Sequence, residues 1–171
     1  MKVGHAANRR VSSRLESGRE FSTDWKAAAA KASRSAKWAI TMTKWLITKV
    51  KGKTTWRLVT FCGPNGGESV GIVDLVAIRK NHNRPTNGLK RGDLFEIMLI
   101  QVKGGKSAWP STDDILRLRR VGQQYRAKEI LLAEWKKGKQ PTIYRMKRAH
   151  RRNGDRRSVW EKVELVPLLF R

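Results

Sequence analysis

The stretches GIVDLVAI (residues 71–78) and FEIMLIQVKGG (residues 95–105) lie near the middle of the chain. Both are rich in β-branched and other large apolar residues, which predicts two buried strands. Each stretch also carries polar side chains where burial makes polarity costly, namely Asp74 in the first and Gln101 and Lys103 in the second. Because side chains alternate along a strand, Gln101 and Lys103 should share a face about 7 Å apart. We therefore expect a functional site at these strands.

The surrounding sequence predicts an α/β order of helix, three strands, helix, strand and one or two further strands. Residues 22–24 offer N-caps for the first helix, which should pack through a face containing Trp38, Met42 and Trp45. Ser111 and Asp114 are predicted to cap the second helix. The predicted strands cover residues 54–61, 69–79, 95–105, 128–133, 142–146 and 159–165. Residues 1–20 are expected to form a flexible basic arm, and residues 21–171 a single domain.

The charge of the chain indicates its partner. Lys and Arg number 38 against 14 Asp and Glu, which gives a formal net charge of +24 and a sequence pI of about 11.3. Such an excess repels itself in a compact fold unless a polyanion neutralises it, so nucleic acid is the first partner to consider and an anionic membrane the second. The seven Trp residues argue against a disordered basic tail, since such rings need a core. We expect DNA as the partner, with RNA also open.

The single cysteine, Cys62, can form neither an internal disulfide nor a thiolate zinc site. The first 19 residues lack the apolar core of a signal peptide, and the most apolar helical stretch, residues 38–50, is interrupted by Lys44 and Lys49. The sequence therefore predicts a soluble, intracellular protein of the cytoplasm without a membrane partner.

The order of elements, together with Asp74, Gln101 and Lys103, resembles the PD-(D/E)xK nuclease superfamily. This superfamily includes many restriction enzymes, archaeal-type Holliday junction resolvases and Mrr-like endonucleases. The resemblance covers roughly residues 20–135. Val73 stands where the motif name has Pro, and Gln101 stands where it has Asp or Glu, as in some Mrr-like enzymes.

The resemblance implies a restriction-endonuclease-like αβββαβ core, with a central mixed sheet flanked by helices. It implies a metal-dependent endonuclease that hydrolyses phosphodiester bonds in DNA, with selectivity for branched or junction structures, in recombination, repair or restriction. Related resolvases act as dimers, so a homodimer is a further expectation. Sequence specificity is not encoded in these motifs.

The chemistry of phosphodiester hydrolysis accounts for the residue types. A divalent cation, Mg²⁺ or Mn²⁺, stabilises charge on the phosphate and acidifies a water, and Mg²⁺ prefers oxygen ligands. Asp74 would supply a carboxylate and Gln101 an amide oxygen, with the backbone carbonyl of Val102 as in the superfamily's usual metal site. Lys103 would orient the attacking water or stabilise the phosphate.

A neutral Gln101 leaves this set one negative charge short, so a further carboxylate is expected to contribute. Glu68 has the strand parity of Asp74 if the strand extends that far, while Glu16, Glu20 or Asp24 could reach in from the first helix. Glu96 has the opposite parity to Gln101 and should face the other side of the sheet.

Two further features would contact nucleic acid. Trp109, just past the Gly104-Gly105 turn, could stack on a base or sugar. A basic cluster fits a phosphate-binding flap and consists of Arg145, Lys147, Arg148, Arg151, Arg152, Arg156 and Arg157.

A second class of function fits the same sequence. The chain could bind nucleic acid without catalysis, either in another α/β fold or in a nuclease fold whose site has decayed at Gln101. In that case Asp74 would cap a turn or pair with an Arg, and Lys103 would extend its charge from a strand end into solvent. Positive charge is common to both hypotheses, whereas dependence on a metal and on Lys103 separates them.

Overall fold

The computed structural model describes residues 10–49, 56–61, 71–83, 88–148 and 155–164, with backbone alone for residues 10–23. These residues form an α/β structure with two helices and one six-stranded mixed sheet. In chain order the elements are α1 (Arg10–Lys49), β1 (Arg57–Thr60), β2 (Leu75–Lys80), β3 (Phe95–Gly104), α2 (Thr112–Gln124), β4 (Glu129–Trp135), β5 (Thr142–Met146) and β6 (Trp160–Val163).

The six strands lie in the sheet in the same order as in the chain. β3 and β4 are parallel and are joined by the crossover helix α2, while all other neighbouring pairs are antiparallel. Parallel neighbours need such a crossover, because a tight turn reverses the chain. The α/β class and the order of elements predicted from the sequence are confirmed. The specifically restriction-endonuclease-like arrangement stays a prediction.

The alternation of side chains along the central strand β3 separates two apolar clusters. Met98 and Ile100 pack in a cluster that includes Ala39 and Ile47 of α1. Leu99 packs on the other face of the sheet, in a cluster that includes Leu118 of α2. Both clusters are built from residues that are at least nine-tenths buried. β3 is therefore covered on both faces, as expected for a strand with a parallel neighbour.

Helix α1 differs from its prediction in two respects. It begins at Arg10, twelve residues before the expected cap at Ser22, because residues 10–21 contain no Pro and only one Gly to interrupt it. Its buried face contains Ala39, Thr43 and Ile47, whereas Trp38 and Trp45 are 47% and 50% exposed. The prediction that Trp38 and Trp45 pack into the core was wrong, whereas Met42 of the same predicted face does pack against this cluster.

The small residues on α1 explain that difference. Ala39 and Thr43 let the helix backbone approach the sheet, and large indole rings fit only beside the contact. The hydroxyl of Thr43 donates to Ala39 O (2.8 Å) and accepts from Trp135 Nε1 (2.7 Å). Trp38 lies edge-on to Trp135, with ring centroids 5.3 Å apart. A buried hydroxyl with both bonds made therefore anchors α1 to the end of β4.

Contacts divide the chain into two compact units, residues 1–34 and residues 35–171. The predicted boundary between an arm, residues 1–20, and a domain, residues 21–171, stays a prediction. Neither described helix is long and apolar enough to cross a bilayer.

Glu96, Arg79 and Lys128 form an ion triad at the end of β3 opposite Gly104. Glu96 accepts from Arg79 (2.6 Å) and from Lys128 (2.8 Å), and the side chains of Arg79 and Glu96 are only 7% and 9% exposed. Arg79 also lies over the ring of Trp56 at 4.4 Å. Burial acts to raise the pKa of Glu96, but the bonds from Lys128 and Arg79 outweigh it, so the pKa lies below its usual value. Glu96 faces away from Gln101, as its parity predicted.

Replacing Glu96 by Gln should lower the free energy of unfolding at pH 7 by about 3 kcal/mol, because Arg79 would remain buried without its counter-charge. The folded-state pKa of Glu96 is depressed, so its contribution is complete above the unfolded value near 4.3 and disappears as the pH falls through the folded value. Urea unfolding at pH 7 and pH 3 measures both effects. The exposed Glu164→Gln variant is the control, and equal stability of Glu96→Gln and wild type at pH 7 would contradict the triad's importance.

Candidate functional site

The buried polar residue Gln101 marks the candidate site on β3. Its side chain lies on the α2 face of the sheet, as that of Leu99 does, and is 5% exposed. Among the described residues, no group hydrogen-bonds its buried Oε1 atom. A buried amide oxygen without a partner costs about 1–3 kcal/mol, and such atoms are rare in native proteins. Gln101 therefore needs an explanation beyond packing.

Asp74 lies at a β-bulge beside this residue. Leu75 is registered opposite Ile100, yet the backbone N–H of Asp74 also donates to Ile100 O (3.1 Å), so two residues oppose one. The alternation of side chains breaks at the same point, since Val73 packs in the α2-side cluster and Leu75 in the α1-side cluster. Bulges re-aim side chains and are over-represented next to active sites.

The bulge turns the carboxylate of Asp74 toward β3. Its Oδ2 accepts a hydrogen bond from the backbone N of Val102 at 2.6 Å. Val102 is the residue between Gln101 and Lys103, so the carboxylate lies against the backbone that joins these two residues. In a strand the N–H and C=O of one residue point to the same neighbour, so the carbonyl of Val102 opens toward Asp74 as well. The structure thus places Asp74 against the backbone of Val102, and a shared metal site with Gln101 stays a prediction.

Lys103 lies on the α2 face, like Gln101, and is registered opposite Glu134 of β4. In the described part of the chain it forms no hydrogen bond or ion pair, and its side chain is partly exposed. Its charge contributes to lowering the pKa of Asp114 in the first turn of α2. Lys103 therefore lies in a region with two carboxylates without a direct partner among the described residues, which leaves its ammonium group available to a ligand.

Glu134 is a residue of this region that the sequence analysis missed. Oε1 of Glu134 accepts from Trp109 Nε1 (3.0 Å) and contacts Lys136 (3.1 Å), while Oε2 lies 3.5 Å from the hydroxyl of Tyr144. Burial acts to raise the pKa of Glu134, but the bonds from Trp109 and Lys136 lower it overall. The predicted strand ended at residue 133. Extending it by two residues would have placed Glu134 on the face of Leu132.

Trp109 is held firmly beside this carboxylate. Besides its bond to Glu134, its ring meets Tyr144 edge-on at 4.8 Å, and the guanidinium of Arg157 lies 5.3 Å from its centroid. These contacts fix the ring at the rim of the site. Stacking of a base on Trp109 stays a prediction.

Two glycines let α1 approach the end of β3. A Cβ on Gly104 would lie 2.9 Å from Ser35 O and 3.0 Å from Ala39 Cβ, and Gly105 has a φ of +64°. The first contact involves helix backbone, which cannot give way cheaply. Gly104 and Gly105 are therefore structural residues that fix the strand end carrying Gln101 and Lys103.

The start of α2 is fixed by a capping box, as predicted. Ser111 Oγ accepts from Asp114 N (3.1 Å), and Asp114 Oδ2 accepts from Ser111 N (3.0 Å). The bond from the Ser111 backbone is the largest cause that lowers the pKa of Asp114. Asp114 therefore stays ionised as a cap and lies near Lys103 without pairing with it.

The predicted basic cluster is divided in the structure. Arg145 in β5 pairs with Glu161 and lies 3.9 Å from Glu129, so its charge is already compensated. Lys147, Arg148, Arg156 and Arg157 are exposed. Several predicted residues lie outside what the structure describes: Glu68, Arg151 and Arg152 entirely, and the side chains of Glu16 and Glu20. Asp24 is exposed on α1.

Two grooves of different character flank α2. On the β1–β2 side, a groove of about 610 Å³ is lined by apolar residues that include Phe61, Val76, Leu99 and Tyr125. On the β5 side, a groove of about 370 Å³ is lined mainly by basic and polar residues. Of these two grooves, the one on the β5 side is therefore the basic one.

Comparisons with protein-family models, with curated proteins and with solved structures find no match to this chain. Within the described residues, no cluster of three His, Cys, Asp or Glu side chains is placed to hold a metal ion. A cation at this site would therefore need amide and backbone oxygens in addition to Asp74. Function is inferred from the geometry of the site.

Replacing Gly104 by Ala should lower the free energy of unfolding by about 1–3 kcal/mol, because the new methyl group overlaps Ser35 O and Ala39 Cβ. Urea unfolding of the full chain measures the change. Ser107→Ala, an exposed position three residues later, is the control and should change stability by less than about 0.5 kcal/mol. A Gly104→Ala protein as stable as wild type would show that α1 does not press on β3.

Proposed function

We propose that this chain is a metal-dependent endonuclease of the PD-(D/E)xK type that hydrolyses phosphodiester bonds in DNA. The observation that carries the proposal is the buried Oε1 of Gln101, which lacks a hydrogen-bond partner among the described residues. A ligand that takes up this oxygen would remove the cost of its burial. The neighbouring groups, Asp74 and Lys103, are those that phosphodiester hydrolysis needs.

The donor set fits a hard divalent cation, Mg²⁺ or Mn²⁺. The carboxylate of Asp74, the side-chain oxygen of Gln101 and the carbonyl of Val102 would hold it, since Mg²⁺ takes oxygen ligands and retains several waters. The carboxylate of Asp74 already accepts from Val102 N, and a carboxylate has about four lone-pair sites for its partners. When bound, the cation would polarise the phosphate and acidify a water.

Lys103 would bind the phosphate or orient the attacking water. Its ammonium group has three donors, and the described residues engage none of them directly. Neither nearby carboxylate forms an ion pair with Lys103 among the described residues. Asp114 is hydrogen-bonded to Ser111, and Glu134 to Trp109 and Lys136. This arrangement favours a phosphate as the partner of Lys103.

The fold and the charge support the same proposal. One antiparallel strand meander, a crossover helix and a parallel fourth strand are the elements that we expect of a restriction-endonuclease-like core. The net charge of +24 suits a polyanionic substrate and makes its binding strongly salt-dependent. Branched or junction DNA is the substrate class we propose, in recombination, repair or restriction, with a homodimer as the form that would pair two cuts.

A second candidate function is nucleic-acid binding without catalysis. It is favoured by the hydrogen bond between Asp74 and Val102 N, which gives Asp74 a structural role at the bulge. A neutral Gln101 also lowers the charge available to a cation. The two functions differ in their dependence on metal and on Lys103.

Cleavage of labelled linear, nicked, four-way-junction and single-stranded DNA, and of RNA, with Mg²⁺, Mn²⁺ or EDTA separates them. We expect metal-dependent cutting by wild type and a loss of at least about 100-fold in Asp74→Asn and Lys103→Met. Asn at position 74 keeps an oxygen that can accept from Val102 N, so the bulge should persist. Circular dichroism and binding measured by fluorescence anisotropy would verify that both variants fold and bind.

Asp93→Asn and Lys80→Met remove the same charges from exposed positions at the opposite end of β2 and β3, and they should cut like wild type. If wild type binds every substrate and cuts none with either metal, the binding function replaces the nuclease. Cutting that survives in Lys103→Met would place the active site elsewhere.

Gln101→Glu should bind Mn²⁺ or Mg²⁺ roughly tenfold more tightly than wild type, because it restores the missing negative charge among the ligands. Gln101→Leu should abolish metal binding and, by removing a polar atom that lacks a partner, leave stability unchanged or raised. Isothermal titration with each metal measures both effects. Equal metal affinity in all three proteins would remove Gln101 from the site.

A further inference from the structure

The groove between α2 and β5 is a second concave site, on the same face of the sheet as Gln101 and Lys103. Its volume is about 370 Å³, and its floor includes Ile130 and Met146. Its basic lining residues are Arg119, Arg126, Lys128, Lys147 and Arg148, against a single carboxylate, Glu129.

The charges in the groove are unbalanced. Lys128 is paired with Glu96 (2.8 Å), and Glu129 lies 3.9 Å from Arg145. The charges of Lys128 and Glu129 are therefore balanced by residues outside the groove. Arg119, Lys147, Arg126 and Arg148 have no carboxylate partner among the described residues. Arg119 donates to Lys147 O at 3.4 Å, and its buried Nε has no partner in the described structure. Four cations therefore converge on one small space.

Arg126 occupies a backbone position that favours glycine. Helix α2 ends in a Schellman motif, with Ala127 N donating to Gly122 O (2.8 Å) and Arg126 N to Gln123 O (3.1 Å). Arg126 is the left-handed residue of this motif, at φ +49°, and among the described residues no other non-glycine has a positive φ. Glycine fits this position without strain. An arginine here therefore combines a strained backbone with a cation at the end of α2.

The groove lies at a defined distance from Lys103. Lys103 is registered with Glu134, and Glu129 at the groove precedes Glu134 by five residues on β4. At the rise of a strand, this separation is about 17 Å. With one base pair every 3.4 Å along a duplex, it corresponds to about five base pairs.

We propose that this groove binds a backbone phosphate of DNA, about five base pairs from the phosphate that Lys103 engages. Arg119 and Arg126 supply the planar guanidinium donors that suit phosphate oxygens, and Lys147 and Arg148 add charge. The identity of the groove as a phosphate site stands on its own residues. The five-base-pair spacing rests on the proposed nuclease function.

Binding of a duplex in EDTA, without catalysis, tests the groove. The double variant Arg126→Gly, Arg148→Gln should bind at least about tenfold more weakly than wild type. The slope of log affinity against log salt should fall by about one, because one phosphate contact is lost. Its thermal midpoint should stay unchanged or rise by up to about 3 °C, because glycine relieves the left-handed backbone. Weaker binding in a protein that folds as well as wild type is the result expected of a binding site.

Arg57→Gln with Arg91→Gln removes two exposed charges outside the groove and is the matched control, with an expected loss of less than about threefold. Equal losses in the two double variants would show that only net charge matters and would overturn the proposal. Inorganic phosphate at millimolar concentration distinguishes the source of the ligand. If free phosphate stabilises wild type but DNA binding is unaffected by the groove variant, the site serves a small anion instead of the backbone.

The five-base-pair spacing between the two phosphates is tested with duplexes that extend two, five or eight base pairs beyond the phosphodiester bond that is cut. Wild type should cut the shortest duplex more slowly than the others, and the groove variant should cut all three at one rate. If no duplex is cut, the nuclease proposal fails while the binding result in EDTA still decides the groove. If wild type cuts all three lengths equally, the proposed spacing is wrong.

Discussion

Strand β3 is hydrogen-bonded on both edges and packed on both faces, and the rest of the structure is arranged around it. β2 pairs with it in antiparallel fashion and β4 in parallel, while α1 and α2 contribute to the apolar clusters on its two faces. Such a strand has little room for polar side chains, because each buried polar atom loses its hydration. Gln101 nevertheless lies there, and the groups around it make that position chemically useful.

The geometry at the end of β3 depends on two departures from regular structure. The bulge at Asp74 brings a carboxylate to the backbone of Val102 instead of leaving it on the regular alternation of β2. The absence of a side chain at Gly104 lets the backbone of α1 lie against the strand. The bulge positions the carboxylate of Asp74, and Gly104 allows α1 to pack on β3. The bulge contacts Val102, which lies between Gln101 and Lys103, and Gly104 directly follows Lys103.

Electrostatics organises the α2 face in a similar way. Glu134 is registered opposite Lys103 and Asp114 is close enough to feel its charge, while hydrogen bonds from Trp109 and Ser111 engage the two carboxylates. Their pKa values are lowered, so both remain ionised at neutral pH and attract a cation or orient Lys103 without neutralising it by contact. The groove cations Arg119, Arg126, Lys147 and Arg148 have no carboxylate partner among the described residues. The face thus changes from a mixed-charge site to a basic groove along the direction of the strands.

Much of the fold could be predicted from local patterns. The β-branched runs gave β2, β3 and β4, the Ser111 and Asp114 spacing gave the start of α2, and Thr142–Met146 matched its predicted range. These features depend on residues close together in the chain, whose propensities and caps act locally. The buried face of α1 was not predictable in this way. Ala39 and Thr43 are neither large nor strongly apolar, and their burial follows from the need for close approach to the sheet.

The candidate site was likewise predictable from the sequence only in part. The residue types Asp74, Gln101 and Lys103, their strands and the excess of positive charge are properties of the amino-acid sequence alone, because alternation and composition fix them without reference to the rest of the chain. The bulge at Asp74, the place of Glu134 opposite Lys103 and the meeting of Arg119 and Arg126 with β5 were decided only by tertiary structure. They join residues that are far apart in the chain or depend on strand register, and register is set by packing across the whole sheet.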